Sequence, residues 1–252
     1  LTSGAAAKQM LSELRAKGLL WPAVMTLLGV AILIALGNWQ MRRLAWKEGL
    51  IAAIVERTHA EPVSLAEAER RGGDVEYLRV KASGTFLNAK ELHFYAFDEQ
   101  AGPGWHIMTP LQLSDASLVF VNRGFVPDEL KDAAKRKEGQ LTGEVEIIGL
   151  ARKPEIAGAF TPANDAGKNI WYWRDLPAMA AAALGPDSPR VVPFVVDAEL
   201  EPRSAGWPRG GVTRLELPNR HLEYALTWYG LAAALIGVFA AFAGTRWRQP
   251  RP

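Results

Sequence analysis

Two long apolar runs bracket this chain, and between them, from Val75, the pattern changes to short β-like runs. Leu19–Leu36 carries no charge over 18 residues, and Tyr224–Ala243 carries none over 20. At 1.5 Å per residue they reach about 27 and 30 Å, enough to cross a hydrocarbon core of roughly 30 Å. Aromatics frame both runs, Trp21 and Trp39 on the first and Trp228, Tyr229 and Trp247 on the second, as membrane interfaces favour. The pattern predicts two transmembrane helices. A cleaved leader fits the first run less well, because the run is long and no A-x-A-like site follows it.

The first helix is expected to continue through Gly37–Arg57, where Leu50, Ile51, Ile54 and Val55 keep helical spacing. Ser64-Leu-Ala-Glu67 has the form of a capping box and opens a short helix that closes at Gly72–Gly73. Val75–Phe86, Glu91–Phe97, His106–Leu113, Leu118–Val126 and Glu144–Ala151 then read as strands, rich in β-branched and aromatic residues. Their close spacing favours antiparallel pairing, since parallel strands need long crossovers. Asp175 is placed to cap an Ala-rich helix through Leu184. Val191–Val196 is a further strand, which Pro193 assigns to an edge or a bulge. Glu129–Gly139 is a charged excursion, helical or disordered, whose Lys/Arg cluster reads as a solvated face. Lys153–Asn169 and Pro202–Pro218 are loops by composition.

The predicted fold class is therefore a membrane protein of α+β type. Two transmembrane helices flank a mostly antiparallel, β-rich extracytoplasmic domain with a few short helices. Its segments are a cytoplasmic tail (1–18, mobile at its start), helix 19–40, domain 41–218, helix 219–244 and a cytoplasmic tail (245–252).

Charge supports the orientation and narrows the function. Lys8, Arg15 and Lys17 precede the first helix, and Arg246, Arg248 and Arg251 follow the second. Both tails are expected in the cytoplasm by the positive-inside rule, with Arg42, Arg43 and Lys47 as opposing charges. Net charge is only +2, and the basic residues are dispersed, which argues against nucleic acid as a partner and leaves membrane lipid. The sequence has no cysteine, which excludes disulfides, thiolate catalysis and Cys-based zinc sites.

No HExxH, GxSxG, Walker A or GxGxxG pattern occurs, and the four histidines show no pairwise metal spacing. The informative stretch is Pro218–Gly230, PNRHLEYALTWYG. It puts His221 at the mouth of the second apolar helix, with Tyr224 and Trp228 on the same helical face. An imidazole there is either a metal ligand backed by an aromatic stripe or an interfacial histidine among aromatic anchors. Further along, Ala233, Gly237 and Ala241 form a small-residue stripe suited to close helix approach in lipid. That stripe packs on the first helix or docks on a partner subunit. Asn122-Arg123-Gly124 reads as a strand followed by a turn before Pro127. Trp171 and Trp173 are core aromatics or a partner surface.

Five segments together resemble a known family. They are Leu36-Gly-Asn-Trp-Gln40 with Arg43 and Lys47; Gly84-Thr-Phe86; Thr109-Pro-Leu111; Val121-Asn-Arg-Gly-Phe-Val-Pro127; and Pro218-Asn-Arg-His-Leu-Glu-Tyr-Ala-Leu-Thr-Trp228. In order and spacing they resemble the surfeit locus protein family, assembly factors of cytochrome oxidase, over nearly the whole chain. Where the family often reads Asn-Asn-His, this chain has Asn219-Arg220-His221.

The resemblance implies a non-enzymatic role in bringing heme a, as cargo, to the catalytic subunit of a heme-copper oxidase. Heme a synthase is a further candidate partner. It implies His221 as axial ligand to the heme iron and a periplasmic or intermembrane-space domain. A bacterial inner membrane is the expected location. Around His221, Tyr224, Trp228 and Trp39 are the residues suited to a flat macrocycle. Arg220 and Arg43, with Arg42, are suited to its propionates.

Two other readings compete. In one the protein is a membrane scaffold that stabilises oxidase assembly intermediates without ligating heme. In the other it is a membrane-tethered enzyme acting on a lipid or on heme, which would need an acid–base constellation that the scattered carboxylates do not supply.

Overall fold

The structure, a computed structural model, describes residues 2–200, 206–213, 215 and 217–248. Leu1, Arg251 and part of the Pro202–Pro218 loop lie outside them. The helices are α1 (Thr2–Ala16), α2 (Leu20–His59), α3 (Leu65–Arg70), α4 (Leu176–Leu184) and α5 (His221–Arg248). The strands are β1 (Val63–Ser64), β2 (Arg79–Phe86), β3 (Leu92–Asp98), β4 (Gly102–Leu113), β5 (Leu118–Pro127), β6 (Glu144–Arg152), β7 (Ile170–Trp171) and β8 (Val191–Ala198). Two compact units emerge, Leu1–Ala52 with Glu216–Pro252, and Ala53–Leu215. This is the expected membrane α+β architecture, two apolar helices flanking a β-rich domain.

Helix α2 runs unbroken for 40 residues, as its continued helical spacing predicts, and its Leu20–Ala52 part belongs to the helical unit. Its partner is α5, and glycines on α2 set the contact. A methyl group at Gly37 would lie 2.4 Å from the Tyr229 ring, and one at Gly29 would lie 2.8 Å from Leu235. Tyr229 Oη donates to Asn38 Oδ1 at 2.8 Å. The helices therefore touch, but not through the predicted stripe. Ala233, Gly237 and Ala241 are exposed, and a Cβ at Gly237 would meet nothing within 4 Å. The packed positions on α5 are Ala225 and Ala232. A period of four drifts around a helix that repeats every 3.6 residues, so small residues alone did not identify the contact face. Within the tail that precedes α2, Thr2–Ala16 forms a helix that the sequence reading did not assign.

Gly29 opposite Leu235 and Gly37 opposite Tyr229 place the half-buried Leu33, midway between the two glycines, near the buried Ala232. The natural chain lacks cysteine, so a pair introduced by Leu33→Cys and Ala232→Cys should crosslink on oxidation. Adding Gly37→Leu should cut crosslinking several-fold, because the leucine occupies the space of the Tyr229 ring. Undiminished crosslinking would show that the glycine does not set the distance.

The second unit is a closed barrel. Strands pair in the order β2-β6-β8-β5-β4, and a further β2–β4 pairing completes the ring. All pairs in it are antiparallel except β5–β8. This five-stranded Greek-key order is an architecture shared with OB barrels, which by itself assigns no ligand. Closure requires Gly84, paired with Leu113, since a Cβ there would sit 2.2 Å from the Gln112 carbonyl oxygen. β2 alternates buried and exposed positions along its length, whereas β5 is buried from Leu118 to Val126. Inward residues such as Val80, Phe86, Leu111, Val121, Phe194 and Val196 fill the interior. Pro193 is exposed, where the β5–β8 register shifts, so it marks a bulge in an interior strand.

Outside the barrel, Trp171 is fully buried with Phe94, Met108, Phe120 and α4, making it a core aromatic. Ser64 and Asp175 cap α3 and α4 through their side chains, as expected. The Asn122–Gly124 segment is not a turn. β5 continues through it to Pro127, with a bulge against β4 and Gly124 at φ 118°.

The charged excursion forms three 3-10 turns, Asp128–Leu130, Ala133–Lys135 and Lys137–Gly139. It is not simply a solvated face, because Arg136 is only 4% exposed. Its Nη2 is hydrogen-bonded to Glu91 Oε1 and its Nε donates to the Leu130 carbonyl at 2.9 Å. Hydrophobic patterning cannot reveal a charge that is buried because it is paired.

Candidate functional site

α5 begins where the extended Pro218–Arg220 approach turns, with the Tyr224 amide donating to the Arg220 carbonyl at 3.2 Å. His221 is the first helical residue and is half-buried. Its Nδ1 lies 2.8 Å from Gln40 Oε1. With Nδ1–H donating to that amide oxygen, the imidazole lone pair is on Nε2, and the ring is held in one tautomer and orientation. Gln40 reaches it because it lies one turn beyond Gly37, on the α2 face that packs against α5. One further contact fixes the approach segment, as Lys47 Nζ donates to the Pro218 carbonyl at 2.6 Å. Beside it, Asn219 Oδ1 is buried with no hydrogen-bond donor among the described residues.

The other predicted site residues belong to the same helical unit. Tyr224 and Trp39 are about half exposed, at 53% and 48%, so each presents an open ring face. Trp228 is half-buried, and it makes no ring contact with Trp39 among the described residues. Arg220 is exposed and lies 3.6 Å from Glu223. Arg43 stacks over the Trp46 ring at 4.9 Å. Among the described residues, no hydrogen bond or ion pair joins either arginine to His221. The structure therefore brings His221 together with α2 through Gln40, and it does not join the arginines to them.

Sequence reasoning missed Gln40, although it quoted the residue within Leu36–Gln40. The available signal was a polar side chain one turn from Gly37, at the end of an apolar helix. Among the described residues, no group of three His, Cys, Asp or Glu side chains is arranged to hold a metal ion.

Fold and site together define a two-helix membrane protein carrying a closed β-barrel domain, with a hydrogen-bonded imidazole at the start of its second helix. Residues 27–233 match the sequence profile of the SURF1 family. Surfeit locus protein 1 of Mus musculus is 39% identical over 219 residues, covering 81% of this chain and 70% of that protein. The Homo sapiens protein of the same name is 37% identical over 215 residues, covering 79% and 70%. A SURF1-like protein of Drosophila melanogaster is 35% identical over 222 residues, covering 81% and 71%. The chain belongs to the SURF1 family, a family of cytochrome oxidase assembly factors.

Proposed function

We propose that this protein takes up heme a as cargo and supports its insertion into the catalytic subunit of cytochrome oxidase, with His221 Nε2 as an axial ligand to the iron. The observation that carries this reading is the 2.8 Å bond from His221 Nδ1 to Gln40 Oε1. Ligating histidines characteristically donate their second N–H to such a partner, which fixes the ring and raises its basicity. Imidazole is a common axial ligand for heme iron, and the bound macrocycle supplies that iron.

The surroundings fit an amphiphilic cargo. The open faces of Tyr224 and Trp39, with Trp228 on the same helical face as His221, suit a flat apolar ring. Arg43, in no ion pair among the described residues, and Arg220, paired only with the exposed Glu223 at 3.6 Å, suit its carboxylates. The role is binding and hand-over without turnover. It calls for the catalytic subunit as acceptor and heme a synthase as donor. The positive charges of Lys8, Arg15, Lys17, Arg246 and Arg248 support an orientation with both helix tails on the cytoplasmic side of a bacterial inner membrane and the barrel domain on the other.

The test is oxidase maturation in cells whose sole copy carries His221→Ala. Catalytic subunit purified from them is expected to hold several-fold less heme a than wild type, with the assembly factor itself at normal abundance. Full heme a occupancy would favour a scaffold that never ligates the cofactor.

A further inference from the structure

The barrel unit has a pocket of about 490 Å³ between the 3-10 turns after β5 and the segment 206–209. Its wall carries Lys135, Arg136, Lys137 and Arg209 against the carboxylate of Glu138, with Trp207 as an aromatic side. The cations are poorly neutralised. Lys135 Nζ is bonded to the Glu129 carbonyl at 3.1 Å, and the Arg209 guanidinium lies 4.4 Å over the Trp207 ring. Among the described residues, neither Lys137 nor Arg209 forms an ion pair. Arg136 spends one nitrogen on Glu91, yet its Nη1 is buried with no acceptor among the described residues.

A second guanidinium, Arg123, is only 8% exposed and reaches this pocket through Gly139 of its wall. Its hydrogen bonds go to neutral groups, Asn88 Oδ1 at 3.1 Å and the Gly139 carbonyl. Burial, partly offset by Glu91 and reinforced by Arg136, brings it down to about 10. Of these two buried guanidiniums only Arg136 is paired with a carboxylate, that of Glu91, and the excess positive charge lies beside an open, cation-walled pocket. An oxyanion there would supply the acceptor that Arg136 Nη1 lacks.

We propose that this pocket binds a phosphate group, carried by an anionic phospholipid headgroup or by a soluble phosphate. Arginine forks match phosphate oxygens in pairs, while lysines add point charges around them. The volume is that of a small-molecule site, and Trp207 offers an apolar wall for the carbon skeleton attached to the phosphate.

The experiment uses the full chain in uncharged detergent, titrated calorimetrically with inorganic phosphate and with soluble dihexanoyl phosphatidylglycerol. Saturable binding of at least one probe is expected. The exposed rim pair Lys137→Glu with Arg209→Glu should weaken it tenfold or more, with circular dichroism unchanged. The remote pair Arg70→Glu with Lys81→Glu, on α3 and β2, should leave it as it was. Binding of the lipid alone supports a headgroup site, and equal binding of both probes supports a site for free phosphate. Absence of saturable binding, or equal weakening by both charge-reversal pairs, would overturn the proposal.

Discussion

Gly124→Val is expected to destabilise the barrel domain by about 4 kcal/mol or more, beyond the range of an ordinary surface change. A Cβ at this position would lie 1.8 Å from the Arg209 carbonyl oxygen and 2.5 Å from the Gly210 amide nitrogen. Both obstacles are backbone, so no side chain can swing aside. Gly124 also has φ 118°, a conformation that β-branched residues strongly avoid. The crossing segment is pinned to β5 by two hydrogen bonds, Phe125 N to Arg209 O at 2.9 Å and Arg209 N to Phe125 O at 3.0 Å. Valine must therefore lift that segment or leave the strand. Chemical denaturation followed by near-ultraviolet circular dichroism measures the loss. Gly102→Ala is the comparison, with φ 77° and nothing within 4 Å, and should cost only about 1 to 3 kcal/mol from backbone strain. Equal losses for the two variants would show that the crossing contact is unimportant.

Glu91→Gln is expected to cost about 3 to 5 kcal/mol, the usual penalty for removing one partner of a buried ion pair. Glu91 and Arg136 have side chains 9% and 2% exposed, and His93 Nε2 also donates to Glu91 Oε1 at 3.0 Å. Glutamine keeps the shape but leaves the Arg136 guanidinium without its compensating charge. Burial pushes the Glu91 carboxyl up, but the bonds from His93 and Arg136 outweigh it and hold the group below the usual carboxylate range. A carboxylate depressed in the folded state stabilises the protein above its unfolded value, and the contribution is lost as pH falls through the folded value. Wild-type stability should therefore drop as the solution is acidified below about pH 4.5, and Glu91→Gln should flatten that drop. An unchanged acid limb in the variant would remove Glu91 from the account.

Much of the architecture was legible in the sequence because single residues signalled it. Uncharged runs of spanning length marked both long helices, Ser64 and Asp175 marked helix starts, and runs rich in β-branched and aromatic residues marked the strands. Closure of the barrel was not legible. It rests on the β2–β4 pairing and on the space beside Gly84, which no local pattern encodes. The helix pair shows the same divide. Sequence suggested contact through Ala233, Gly237 and Ala241, whereas Gly29 and Gly37 make it, because a packing face depends on the partner. At the candidate site His221 stood out by its position, and Gln40 became visible only when the fold brought it within 2.8 Å. Arg136 escaped notice because a paired, buried cation looks like a solvated one in sequence.

The most direct measurement is the optical spectrum of the protein purified from cells able to make heme a, wild type beside His221→Ala. Wild type is expected to carry the Soret and α bands of heme a, and the variant to lose or shift them. Identical bands in both proteins would contradict ligation by His221, and their absence from wild type would contradict heme binding itself.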